Sequence, residues 1–460
     1  MSVFKNFLMS LPEVKGPSQK YLPFNTKLKW TAMILFAFFI LGMIPLWGLA
    51  ENALKHFDVL SILLGAKFGS ITSLGIGPIV TASIVLQLLH GSGLIKLDTS
   101  THDGRVFFQG LQKMLAIFFI LFESIIYVFM GGLTPEIGIS PWILVIQLCI
   151  GGFLILLMDD VINKWGFGSG ISLFIAAGVS SSVFIRAFSP LTTTGILSFG
   201  SGQPAVGKVF VFISSFVGGR VTESILSLES IIATIFVFLL VVYAQGMKVE
   251  VPLSFGKVRG YGVRWPLKFF YTSNIPVILV AALMANLQLW ARLMESWGRP
   301  ILGTFTGQVP SSGLVYWLYA PDIVRNIITG AFSLSDISHA ITYSLFMMIG
   351  ATIFSIFWVQ TSGMDAKSQA KQIMDSGLQV PGFRRDERVL ETVLKRYITP
   401  LTIMGGLSIG LLAAIADLSG TLASGTGILL AVMIIYKMYE DIARQHAMDM
   451  YPALKKVMAK

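Results

Sequence analysis

Hydrophobic positions in this chain fall in long continuous runs. They do not show the alternating or three-and-four spacing of half-buried elements in a soluble domain. Ten runs stand out, over 30–49, 74–91, 107–130, 141–158, 170–188, 230–246, 272–291, 339–360, 397–416 and 425–443. A run of about 18 residues or more matches the roughly 30 Å hydrocarbon core of a bilayer. The pattern therefore predicts an all-α polytopic membrane protein with ten transmembrane helices.

One apolar stretch is too short to cross. It contains Val59, Leu60, Ile62, Leu63, Leu64, Lys67 and Phe68 and leads toward Gly75-Ile76-Gly77-Pro78, where a helix restarts with proline at an early position. A short helix feeding a span fits a re-entrant element covered by protein or lining a wet cavity. The other reading, a surface helix lying in the interface, is weaker because Ser61 and Lys67 supply little polar face. The polar run up to Lys29 has no short apolar core followed by a small-residue cleavage site, so the first span is expected to stay in place.

The runs also repeat. The fifth opens Gly168-Ser169-Gly170-Ile171 and the tenth Gly425-Thr426-Gly427-Ile428, while Pro78 begins the second and Asn274-Ile275-Pro276 the seventh. Second then corresponds to seventh and fifth to tenth. The expected organisation is an N-terminal half over 1–188, an external loop over 189–229, and a C-terminal half over 230–460. Five spans per half is an odd number, so the second half runs inverted. Interrupted segments at matching places in inverted halves point to the functional interface.

Composition narrows the class. Hydrophobic residues make up 54% of the 460 and charged residues 13%, against about 25% charged in an average soluble domain. That excludes a disordered chain and an ordinary soluble enzyme. The single cysteine, Cys149, excludes a disulfide framework. The net charge of +10 is mostly topology: with the N-terminus inside, 26 of the 34 Lys and Arg lie on cytoplasmic segments and 8 outside, so both termini are expected in the cytoplasm. Loops 247–270 and 361–396 carry 12 of these cations. They serve equally as an orientation signal touching anionic lipid or as a shaped projection for an RNA backbone or an acidic partner.

Catalytic constellations are scarce. The five histidines show no HExxH spacing and no phosphate loop occurs. Glu123 lies deep in the third span, where an ionisable group faces a bundle interior or a wet cavity. It is either a proton-coupling carboxylate or a member of a hydrogen-bonded cluster with Thr81, Ser83, Gln87, Asn286 and Gln288. Asp159 and Asp160, at the inner end of the fourth span, are expected to be solvated. A secondary transporter is one reading of inverted repeats, but a single deep carboxylate is thin support for a coupled pump.

Three stretches resemble the SecY protein-translocation channel family. Gly75 to Gln87 is similar to its first signature, Asp160 to Ile175 to its second, and Gly382-Phe383-Arg384 to a short loop motif. Thr72 departs from the first signature, which favours an apolar residue there. The loops look closest to the archaeal branch. The resemblance implies two five-helix halves hinged at the external loop around an hourglass pore in the cell membrane, with no catalytic residue, metal or cofactor. It implies a plug at about 59–68, a constriction ring of Ile76, Val80, Ile171, Ile175, Ile278 and Leu430, and a lateral gate containing Thr81, Gln87, Glu123 and Asn286. Ribosome contacts would be Lys257, Arg259, Arg264, Lys268, Arg384 and Arg385. The partners it implies are the small membrane subunits SecE (gamma) and SecG (beta), the ribosome, signal sequences and nascent polypeptides, the lipid bilayer, and a second copy of the channel.

Overall fold

The computed structural model describes residues 12–19, 22–50, 69–91, 94–95, 102–129, 132–192, 196–198, 203–255, 262–307, 309–375, 378–379 and 386–450. The chain begins with α1 (Phe24–Leu41), α2 (Gly77–Gly91), α3 (His102–Phe129), α4 (Pro141–Trp165) and α5 (Gly170–Phe188). A short α6 (Lys208–Val217) and α7 (Val221–Gln245) follow, then the strands β1 (Lys248–Phe255) and β2 (Gly262–Lys268) and the helix α8 (Ile275–Ser296). The next connection holds β3 (Phe305–Thr306), β4 (Val309–Pro310), α9 (Leu314–Trp317) and α10 (Ile323–Thr329). The chain closes with α11 (Leu334–Thr361), α12 (Ala366–Asp375), β5 (Leu378–Gln379), α13 (Glu387–Leu418) and α14 (Gly425–Met450).

Each of the ten apolar runs overlaps one helix. Among the described residues, eight are long and apolar enough to cross a membrane: α1, α3, α4, α5, α7, α8, α11 and α13. α2 has 15 residues and rises only ~22 Å. The buried turns 71–76 precede it, and Gly75 takes the positive φ of +55° that this interruption requires. The polar Thr72 is accommodated there because its hydroxyl lies 2.9 Å from that of Ser70. α14 is long enough, but carries Lys437, Glu440 and Asp441 in mid-helix.

Two expectations need correction. The run 30–49 is not one helix: α1 spans Phe24–Leu41, and beyond Gly42 the apolar residues pair as extended backbone, Pro45 bridging Ser70 and Leu49 bridging Pro135. Gly42, Pro45 and Gly48 end the helix although the residues stay hydrophobic. The segment 189–229 is not simply a loop, because α6 packs against α7, which already starts at Val221. The all-α class stands, with a small sheet added to the helices. β1 and β2 form an antiparallel hairpin with Val251 opposite Trp265, and β5 adds to β1 through Ser254 and Gln379. The two basic loops are thereby joined in one sheet over a small core of Val251, Leu267, Ala370, Ile373 and Leu394. Tyr271 closes it, donating to the Met364 carbonyl at 2.7 Å, and burial pushes its phenol above the ordinary range.

One continuous apolar core runs through the bundle, including Ile76, Phe174, Val280, Met347 and Leu429. Large apolar side chains also cover the outside, with Phe36, Ile146, Leu239 and Ile349 all exposed. Such a surface is stable in lipid and a liability in water. This is a multi-pass membrane protein. Asp160 is not merely solvated: it accepts from Lys113 Nζ (3.0 Å) and from the Val14 N–H (3.1 Å), tying the N-terminal segment and α3 to α4.

Candidate pore and lateral gate

The six candidate ring residues all join the central core. Ile76, Val80, Ile175, Ile278 and Leu430 are buried, and Ile171 is half-buried against the same cluster. Ile76 ends the turn before α2 and Val80 stands in its first turn. Ile171 and Ile175 lie in the first turns of α5, Ile278 in the first turn of α8, and Leu430 near the start of α14. Every one is therefore near a helix start. Aliphatic side chains offer nothing to replace an ion's hydration shell, so a constriction they line seals by dewetting.

The seam beside them is polar at one point. α2 packs on α3, α8 and α11. At the crossing, Asn286 Nδ2 on α8 donates to Thr81 Oγ1 on α2 at 2.9 Å. The Thr81 hydroxyl donates either to the Gly77 carbonyl (2.8 Å) or to Glu123 Oε1 on α3 (3.2 Å). Three of the four expected gate residues thus meet, and Glu123 belongs to a hydrogen-bonded cluster. Gln87 does not join it: it is buried, and its Oε1 has no partner among the described residues. Ser83 instead accepts from Gln112 Nε2 at 2.6 Å, linking α2 to α3.

The SecY family profile matches residues 70–439. The chain belongs to the SecY family. It is 44% identical over 458 residues to the protein translocase subunit SecY of Methanothermobacter thermautotrophicus, covering 98% of this chain and 97% of that one. A solved SecY structure, described as one whose plug domain stabilises the closed translocation channel and maintains a membrane seal, superposes with a TM-score of 0.83 at 40% identity, covering 97% of this chain and 98% of the other. A canine Sec61 structure from a ribosome–channel complex of the endoplasmic reticulum gives 0.80 at 38%, with 97% and 98% covered. Members of this family are translocase channel subunits and not enzymes. The secondary-transporter alternative ends here.

The remaining candidates in the SecY-family chain divide. The plug residues Val59, Leu60, Ile62, Leu63, Leu64, Lys67 and Phe68 lie outside the described residues, as do Lys257, Arg259, Arg384 and Arg385. Arg264 is exposed and pairs with Glu250 at 2.9 Å across the hairpin. Lys268 is not a free cation of the projection, because it forms an ion pair with Glu440 of α14. It ties the base of the sheet to the bundle.

Two features escaped the sequence reading. Phe122 of α3 and Trp290 of α8 sit with ring centroids 5.9 Å apart across the seam. The stripe of Phe118 and Phe122, four apart on α3, was the available signal. The other is a buried carboxylate, Asp417, which accepts from the Tyr343 hydroxyl at 2.6 Å and from the Thr426 N–H at 2.7 Å. It lies one residue beyond the ninth apolar run, and no motif in the sequence marks it.

Proposed function

We infer that this chain is the central pore-forming subunit of a protein-conducting channel. The channel moves secretory polypeptides across the cell membrane and releases membrane segments sideways into lipid. One observation carries the reading: in a chain of this family, the crossing of α2 with α8 is bridged by a hydrogen bond from Asn286 to Thr81, next in sequence to Val80 of the aliphatic candidate ring. The aliphatic ring keeps ions out at rest, and the seam is held weakly enough for an apolar signal helix to compete. The short segment 59–68 caps the constriction as a plug. Both termini face the cytoplasm, consistent with the distribution of Lys and Arg. Small single-span subunits of the SecE and SecG type embrace the channel, and a second copy is a further partner.

Purified with its small subunits and reconstituted in vesicles, the channel should carry a signal-bearing polypeptide into the lumen when a ribosome or a soluble motor drives it. The same polypeptide lacking its signal should stay outside. Equal passage of both, or of neither, would overturn the reading.

The joined basic loops are the proposed ribosome-docking surface, with Arg384 the contact that the loop motif nominates. Arg384→Glu should weaken ribosome binding while leaving the melting temperature unchanged. Phosphate contacts are lost with rising salt, by a slope of about 0.7–0.9 per contact, so log affinity against log salt should be shallower in the variant. Identical affinity and slope would return Arg384 to a role in topology.

A further inference from the structure

The starts of α5 and α14 are built alike. The Leu173 N–H donates to the Ser169 carbonyl (3.0 Å) and the Ile428 N–H to the Ser424 carbonyl (2.9 Å), so Ser169 and Ser424 are equivalent first residues. This shifts the repeat by two positions from the match of glycine triplets: Gly170 corresponds to Gly425, Ile171 to Thr426 and Ile175 to Leu430. α2 and α8 agree in the same way. The Val80 and Ile278 amides donate to the carbonyls of Ile76 and Asn274, both at 3.1 Å, so Val80 corresponds to Ile278. Four of the six proposed ring residues are thus two symmetric pairs, each at a fixed distance from a helix start.

The starts of α5 and α14 share a second feature. Asp159, on the preceding α4, accepts from the Ile171 N–H at 2.9 Å and also faces the Gly170 amide. Asp417, on the preceding α13, accepts from the Thr426 N–H at 2.7 Å and also faces the Gly425 amide. Each carboxylate occupies the electropositive N-terminus of the next helix, where unpaired amides favour an anion. Gly170 and Gly425, which follow Ser169 and Ser424, must be glycine. A Cβ on Gly170 would lie 2.6 Å from Asp159 Cα, and one on Gly425 2.0 Å from the Ala416 carbonyl.

We propose that Asp159 and Asp417 are paired positioning residues that set the height of Ile175 and Leu430 in the constriction, one acting from each side of the membrane. The proposal rests on the ring reading above. Ile175 and Leu430 stand six residues beyond Ser169 and Ser424, about 9 Å along the helix. A pin at the helix start therefore fixes how deep each side chain sits.

Resting anion conductance of reconstituted vesicles tests this. Asp159→Ala and Asp417→Ala should each raise the leak by about tenfold, the factor that 1.4 kcal/mol makes in an equilibrium constant. Asp159→Asn and Asp417→Asn keep an acceptor oxygen and should stay near wild type. Alanine variants that melt like wild type and do not leak would overturn the proposal, as would asparagine variants as leaky as alanine. The triple ring variant Ile76→Ser, Ile171→Ser, Ile278→Ser separates the two claims: if it leaks and the aspartate variants do not, only the pins fail, and if it is tight, the ring reading fails. Should an alanine variant not fold, Tyr343→Phe and Asn163→Ala each remove one donor beside a pin. A raised leak supports the proposal and wild-type leak overturns it.

Discussion

Replacing Ile76, Ile171 and Ile278 together by serine should raise the resting ion leak of the reconstituted channel by at least about tenfold. These three side chains come from different elements, the turn before α2, α5 and α8, and all belong to the central apolar cluster. Serine is shorter and carries a hydroxyl, so the substitution widens the constriction and supplies hydrogen-bonding partners for water. The dewetting barrier of an aliphatic constriction is then lost. Each 1.4 kcal/mol removed from that barrier is worth tenfold in leak. The same change also creates buried cavities, at a cost of about 2–5 kcal/mol for a large aliphatic truncation. Thermal unfolding in detergent must therefore be measured alongside conductance. A lowered melting temperature with no leak in the folded fraction would make these positions ordinary packing residues.

Asn286→Leu should shift the hydrophobicity that a signal sequence needs for export or insertion. Asn286 Nδ2 supplies the hydrogen bond from α8 to Thr81 on α2, and Phe122 with Trp290 adds an aromatic contact from α3 to the same helix. Interhelical hydrogen bonds in membranes average about 0.6 kcal/mol and reach about 1.7. That corresponds to a change of about threefold to twentyfold in the ratio of closed to open seam. Leucine removes the bond and adds apolar surface, and the direction of the shift depends on which state packs it better. Thr81 retains the Gly77 carbonyl and Glu123 as partners, so no buried hydroxyl is orphaned and folding should survive. The measurement is export or insertion of a signal series graded in hydrophobicity. A displaced threshold supports the gate. A uniform fall across the series, with no displacement, would make Asn286 a structural residue only.

Hydrophobic runs were enough to locate ten helices, because crossing lipid demands about 20 apolar residues whatever they touch. The interruption at Gly75–Pro78 was legible for a similarly local reason: proline and glycine constrain their own backbone. The run 30–49 misled because it stays apolar after Gly42 has ended α1. Hydropathy reports the solvent around a residue and is silent on its dihedral angles. Thr81, Glu123 and Asn286 could be nominated as costly polar groups in spans, but so could Gln87, which the structure leaves outside the cluster.

The amino-acid sequence by itself determined that this chain lives in a bilayer, where its apolar helices lie, and which small and aliphatic residues open them. Those are properties of single segments and their solvent. Only the tertiary structure decided that Asn286 meets Thr81 across 205 residues of chain, and that the two basic loops share a sheet through Ser254 and Gln379. It alone decided that Lys268 is taken up by Glu440, and that Asp159 and Asp417 bind the helix starts behind them. Each depends on how helices cross, and a crossing angle is set by packing on both partners at once.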